Sequence, residues 1–200
     1  ARLVIGVDMS SIALKAAEIV RDNGLQDRVH IVQEKVEQVN LERFGVKQNG
    51  IDIIISEWMG YALLYESILD SVLIARDTWL RKDGKGLIFP DKALLYLVAI
   101  EDADYKDEKI KFWDEVYGFN FACMKDVALR AQLIAPLDAK QIMTEAPCKL
   151  MELDLNTMDK KDVNFTSSFQ LKAARDDYVQ GFVLYFDVVF GASHKRFQFS

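Results

Sequence analysis

The sequence predicts an α/β protein: part of a doubly wound parallel sheet, then an antiparallel sheet or barrel interrupted by a helical arm. Three observations carry this expectation. Apolar strand-like runs alternate with amphipathic helical ones as far as Pro90. From about residue 150 the apolar positions switch to a period of two, with Met151, Leu153 and Leu155 set against Glu152 and Asp154. Between these regions lies "YKDEKIKFWDEVYGFNFACM", dense in aromatics.

Taken in order, "RLVIGV" reads as a buried parallel strand, with Asp8 at its carboxyl end. Ser10 or Ser11 can cap a helix whose apolar face is Ile12, Ala16, Ile19 and Val20, and Gly24 stands just past its end. "RVHIV" is a second strand, and "IDIII", bounded by Gly50 and Ser56, a third. Ile68, Leu69, Val72, Leu73 and Leu80 then repeat at helical spacing until "KDGKG" stops the helix, and "LIF" makes a strand before Pro90. After "FPDK" the pattern changes, so two domains, 1–89 and 90–200, are expected. "VNFTSSFQLKA", "DYVQGFVLYFDVVF" and "KRFQFS" read as further strands of the second, and the aromatic arm covers about 104–125.

The 200 residues are half hydrophobic with only three prolines, a globular composition. The apolar runs fall far short of the roughly 20 residues that span a bilayer. Cys123 and Cys148 are the only cysteines and have no CxxC spacing, which fits a reducing compartment and supplies no zinc site. His30 and His194 read as surface or packing residues, so no metal is expected. A net charge of −6 argues against general nucleic-acid binding and is compatible with a basic substrate. The chain opens inside a strand-like run without an initiator methionine, as an internal fragment would.

Ligands of open α/β sheets sit beyond the carboxyl ends of the strands. Asp8, Glu37 and the loop "SEWMGYALLYE" all fall there. Asp8 serves equally as a helix cap or as a ribose-binding carboxylate, and a solvated charge is the simpler account of Glu37. Glu57 and Glu66 differ, because two carboxylates in an apolar, aromatic hairpin repel each other and lose hydration. Both stay ionised there when a cation sits between them. A guanidinium suits that place, since its planar fork of donors matches carboxylates bidentately.

The stretches "VIGVDMSS", "KVEQV", "DIIISEWMGYALLYESILDSVLIARD", "GLIFPDK", "YKDEKIKFWDEVYGF" and "DYVQGFVLYFDVVF" together resemble the protein arginine N-methyltransferase family, nearest its main type I branch. The resemblance runs over essentially the whole chain. It implies a Rossmann-like domain binding S-adenosylmethionine as methyl donor, an antiparallel β-barrel-like substrate domain, and a helical dimerisation arm. The expected activity is methyl transfer to arginine nitrogens of proteins, giving monomethyl and asymmetric dimethyl arginine. Arginine- and glycine-rich proteins and histone tails would be the substrates, in nucleus and cytoplasm, with no direct contact to nucleic acid or membrane.

By the same resemblance Asp8 would bind the cofactor ribose, and Val36 and Glu37 its adenine. Glu57 and Glu66 would be the catalytic clamp on the guanidinium, with Trp58, Met59 and Tyr61 beside them in the substrate site. Ile68 stands where some relatives carry methionine. Phe112, Trp113, Val116 and Tyr117 would be the arm that docks on a second subunit, although an apolar stripe of this spacing also suits core packing. The family's glycine-rich loop precedes the stretch equivalent to "RLVIGVD", so the isolated 200 residues are expected to bind S-adenosylmethionine weakly or not at all and to methylate nothing. Two other classes compete: a non-catalytic dimerising module, and a nicotinamide-dependent oxidoreductase, which Asp8 would serve but which leaves the glutamate pair without a role.

Overall fold

The computed structural model describes all 200 residues, which fall into two compact units. One comprises residues 1–93, 153–165 and 187–200, the other 94–152 and 166–186.

In the first unit, β1 (Val4–Val7) pairs in parallel with β2 (Val29–Val32), Val4 opposite Val29 and Val7 opposite Val32. Helix α1 (Ile12–Asp22) makes the crossover between them. Strands β3 (Ile53–Ile55) and β4 (Leu87–Phe89) form a second parallel pair, joined by α2 (Leu69–Trp79). These βαβ units confirm the doubly wound pattern, but β1 and β3 share no ladder, so each pair keeps an open edge. The β1–β2 pair packs on Val39, Leu41, Val46 and Trp79, with Val36, Phe44 and Ile51 around them. His30 stacks on Phe44 at 4.9 Å between ring centroids, a packing role.

The expected face of α1 is corrected. Ala13 is its one buried residue, with Ala16 and Val20 half-buried on the same stripe, while Ile12 and Ile19 are about 60% exposed. Small residues at i, i+3 and i+7 let the helix lie close, and the larger isoleucines are turned outward. Of the face expected of α2, Leu69, Val72, Leu73 and Leu80 are buried, but Ile68, at the N-cap, is 38% exposed; Trp79 joins the buried side instead.

The open antiparallel sheet runs in the order β6 (Cys148–Asp154), β5 (Lys92–Ile100), β7 (Gly181–Phe190), β8 (Phe197–Phe199). It does not close into a barrel. Sequence periodicity identified β6, β7 and β8 but passed over β5, whose "KALLYLVAI" is buried at Ala93, Leu95, Leu97, Val98 and Ala99. Buried Asp91, just before β5, accepts a 2.6 Å hydrogen bond from the Gly191 amide. Its own backbone bonds to Val189 and Leu155. "VNFTSSFQLKA" is not a strand; it makes a single bridge, Ala173 to Thr144.

In the second unit the arm is not one helix. Short pieces follow one another: α3 (Ala103–Tyr105), a π-helical turn over Lys106–Ile110 and a 3-10 turn over Lys111–Asp114. Glu115 is extended, and Val116 and Phe119 then exchange both backbone hydrogen bonds, at 2.8 and 3.0 Å. Tyr117 and Gly118, between them, both have positive φ (55° and 85°), the signature of a two-residue hairpin turn. A second 3-10 turn leads into α4 (Lys125–Arg130).

Candidate active site

Asp8 follows β1 directly, its amide extending the ladder to the Val32 carbonyl at 3.0 Å. Its carboxylate accepts from the Ser10 amide at 2.7 Å, so it shapes the turn into α1 rather than capping the helix itself. Hydrogen bonding from Ser10 holds the Asp8 carboxyl below the usual carboxylate range. Glu37, just after β2, accepts from the Ser71 hydroxyl. That bond, then the backbone amide of Glu37 and the nearby Lys35 charge, hold its pKa low as well. Both groups are exposed anions that can accept from hydroxyl or amino donors. Val36 packs against the core cluster under β1 and β2.

Ser71 was not singled out by the sequence. It lies in the first turn of α2, five positions after Glu66, and nothing in its spacing marks it. Its bond to Glu37 connects the segment after β2 to the helix that follows the glutamate loop. This helix is held in turn by the 153–165 segment. Arg76 Nη1 donates to the Leu155 and Met158 carbonyls, both at 2.8 Å, and Lys160 pairs with Asp70 at 2.6 Å.

The loop itself starts where the Ser56 amide makes its last bond to β4, at the Phe89 carbonyl. Glu57 follows and is exposed, whereas Trp58 is 1% exposed and anchors the loop; Met59 is half-buried. Gly60 and Leu63 exchange both backbone hydrogen bonds, at 3.0 and 2.9 Å. Leu63 is fully buried, and Ala62, Leu63 and Ser67 all have positive φ. Such φ values in non-glycine residues persist only where the surroundings enforce them, and they gather at functional sites. Tyr61 and Tyr65 stand exposed with ring centroids 6.0 Å apart.

Glu66 ends the loop, packed against Gly60 and two residues before exposed Ile68 at the start of α2. Both glutamate side chains are exposed, which corrects the expectation that the apolar hairpin would dehydrate them. The apolar side chains Trp58 and Leu63 point into the core instead and leave the carboxylates at the surface. Two anions at the ends of one tightly closed loop can receive a planar cation without any prior burial cost.

A family model for the arginine methyltransferase oligomerization subdomain matches residues 91–200, more than half of the chain. The chain belongs to the protein arginine methyltransferase family. It is 48% identical over all 200 residues to protein arginine N-methyltransferase 1 of Schizosaccharomyces pombe, and 46% identical to that of Caenorhabditis elegans. In each case it spans 56% of the relative's length. Among solved structures it matches the Trypanosoma brucei PRMT1 enzyme–prozyme heterotetrameric complex, determined with AdoHcy, at a TM-score of 0.88 and 42% identity. That match covers 99% of this chain and 60% of the other. Arabidopsis thaliana protein arginine methyltransferase 10 matches at a TM-score of 0.78 and 26% identity, covering 99% of this chain and 62% of the other.

No group of three or more His, Cys, Asp or Glu side chains stands ready to hold a metal, and no helix is long and apolar enough to cross a membrane. Both cysteines are free.

Phe112 is about half exposed and meets Trp113 edge-on at 5.1 Å. Trp113 and Val116 are half-buried. Tyr117, at the hairpin tip, is 97% exposed. The turn therefore presents its tyrosine outward, where a helix would have set all four residues on one stripe.

Proposed function

We propose that the protein is an arginine methyltransferase of type I, taking its methyl group from S-adenosylmethionine and forming monomethyl and then asymmetric dimethyl arginine. The observation that carries this is the loop. Glu57 and Glu66 stand exposed at the ends of a segment pinned by Trp58 and by the Gly60–Leu63 pair. A protonated guanidinium is a poor nucleophile because its lone pairs are delocalised. Carboxylates set against two of its nitrogens draw positive charge toward them and leave more electron density on the third. Holding that nitrogen in line with the donor methyl supplies much of the rate.

The donor set fits the adenosine half of the cofactor. Asp8 can accept from the ribose hydroxyls and Glu37 from the adenine amino group, and Ser10 and Ser71 keep both carboxylates ionised. S-Adenosylmethionine supplies an electrophilic sulfonium methyl. AdoHcy, bound in the Trypanosoma brucei relative, is the same molecule after loss of that methyl. Arginine- and glycine-rich proteins, histone tails among them, suit an acidic chain that offers two unshielded carboxylates. With S-adenosylmethionine and a glycine- and arginine-rich peptide, the full-length protein should yield asymmetric dimethylarginine by mass-spectrometric fragmentation. Symmetric dimethylarginine as the main product would overturn the type I assignment. A protein that self-associates but transfers no methyl would favour the non-catalytic module.

The exposed arm is proposed to seat on a second copy, consistent with the oligomerization subdomain that the family model covers. Aromatic residues at an interface centre can each contribute about 2 kcal/mol or more. Phe112→Ala with Tyr117→Ala should therefore weaken the homodimer by roughly a thousandfold in sedimentation, without loss of folding, since Tyr117 is almost fully and Phe112 about half exposed. A full-length protein that is monomeric at micromolar concentration would refute this role.

A further inference from the structure

Gly60 lies between the two glutamates in the chain and is buried. A Cβ placed on it would stand 2.6 Å from Glu66 Cγ, 3.0 Å from the Glu66 nitrogen and 3.1 Å from Glu66 Cβ. Four other glycines have the opposite character. Gly24, Gly45, Gly84 and Gly118 adopt positive φ with open space where a side chain would go. Those positions need glycine for backbone conformation. Gly60 does not adopt such a φ, and its need for glycine comes from the nearness of Glu66.

We propose that Gly60 is a positioning residue for arginine methylation: its missing side chain lets Glu66 stand against its Cα, and this contact sets where the Glu66 carboxylate meets the substrate guanidinium. The inference rests on the clamp proposed for Glu57 and Glu66. The neighbours decide which side would yield to an added methyl. Gly60 is tied to Leu63 by two hydrogen bonds, Leu63 is fully buried, and Trp58 two residues earlier is buried too. On the other side, Tyr65, Glu66 and Ser67 are exposed, and Glu66 makes no hydrogen bond or ion pair of its own within the chain. A methyl at position 60 therefore displaces Glu66 and leaves Gly60 in place. Asp8 and Glu37 have separate supports, in Ser10 and Ser71, so the cofactor half is untouched.

The test uses Gly60→Ala in the full-length protein, with Gly84→Ala as a control for glycine loss in general. Gly60→Ala should lower kcat by about a hundredfold, the scale for a misplacement of about 1 Å. Its affinity for S-adenosylmethionine, read by calorimetry, should stay unchanged. Gly84→Ala should lose thermal stability through its φ of 79° and keep its kcat. In a stability cycle, Gly60→Ala should lower Tm less in a Glu66→Ala background, where the Cγ at 2.6 Å is gone, than in the wild type. Should Gly60→Ala alone fail to fold, the Gly60→Ala/Glu66→Ala variant should fold again. A wild-type kcat in Gly60→Ala beside an inactive Glu66→Gln overturns this inference and leaves the clamp standing. Equal Tm losses in both backgrounds, or a double variant that stays unfolded, also overturn it. Full activity in Glu66→Gln removes the clamp, and this inference with it.

Discussion

Glu57→Gln and Glu66→Gln should each lower kcat by roughly 10²–10³, the scale for losing one preorganised electrostatic group in a transition state. An amide keeps the volume of the carboxyl group but removes its charge. Half of its polar edge becomes a donor facing the donors of a guanidinium. Both effects fall on the step in which charge is drawn toward two guanidinium nitrogens. Ground-state consequences should be small, because neither side chain is buried and Glu57 and Glu66 make no hydrogen bond or ion pair within the chain. Tm and affinity for S-adenosylmethionine should hold. Stopped-time methylation assays with a glycine- and arginine-rich peptide give kcat, and calorimetry gives the cofactor affinity. Turnover within about threefold of wild type in both variants would sink the guanidinium clamp, since that loss is small beside the effect expected.

The features legible in the sequence are those that local pattern controls. Met151, Leu153 and Leu155 alternate with polar residues because one face of β6 is buried, and all three are. The apolar spacing of α2 likewise marks Leu69, Val72 and Leu73 as its buried side, although it also includes Ile68, which stands exposed before the first turn. Where the outcome depended on a distant partner, pattern misled. "VNFTSSFQLKA" alternates well enough for a strand, but its ladder pairing is confined to its last residues, where Ala173 bridges Thr144 and the Lys172 carbonyl accepts from the Glu145 amide. The apolar stripe of α1 is wide enough to include both Ile12 and Ala13, and only packing selects Ala13. In the arm, helical spacing from Phe112 to Tyr117 hid the breaker beside it: Gly118 supplies one of the two positive φ values that the hairpin needs. Strand β5 reads as a plain apolar run because its half-buried face also carries apolar residues, Leu94, Tyr96 and Ile100, which erases the period of two in the sequence although burial alternates from Lys92 to Leu97.

The candidate site divides along the same line. The placement of Asp8, Glu37 and Glu57 after their strands follows from chain order alone. Ser71 against Glu37 and Gly60 against Glu66 are contacts of the folded chain, and no spacing announces them.

Trp58→Ala should lower stability by about 3–5 kcal/mol, the range for removing a buried aromatic side chain. At 1% exposure Trp58 is among the largest fully buried side chains of the protein, and its removal leaves a cavity directly beneath the residue after Glu57. Denaturant unfolding should show a lower midpoint at constant m-value, since the extent of burial lost on unfolding scarcely changes. Turnover should fall as well, because the anchor that holds the loop between the two glutamates is gone. Trp58→Phe should behave differently. The indole N–H is buried and donates to nothing within the chain. An unsatisfied buried donor costs about 1–3 kcal/mol, so phenylalanine relieves that cost while losing part of the packing. The two effects oppose each other, and Trp58→Phe should lie much nearer wild type than Trp58→Ala in both stability and kcat. Unchanged stability in Trp58→Ala would show that the loop is not anchored there. If Trp58→Phe is as damaging as Trp58→Ala, the N–H meets an acceptor in the full-length protein, and the anchor is a hydrogen bond as much as a packed ring.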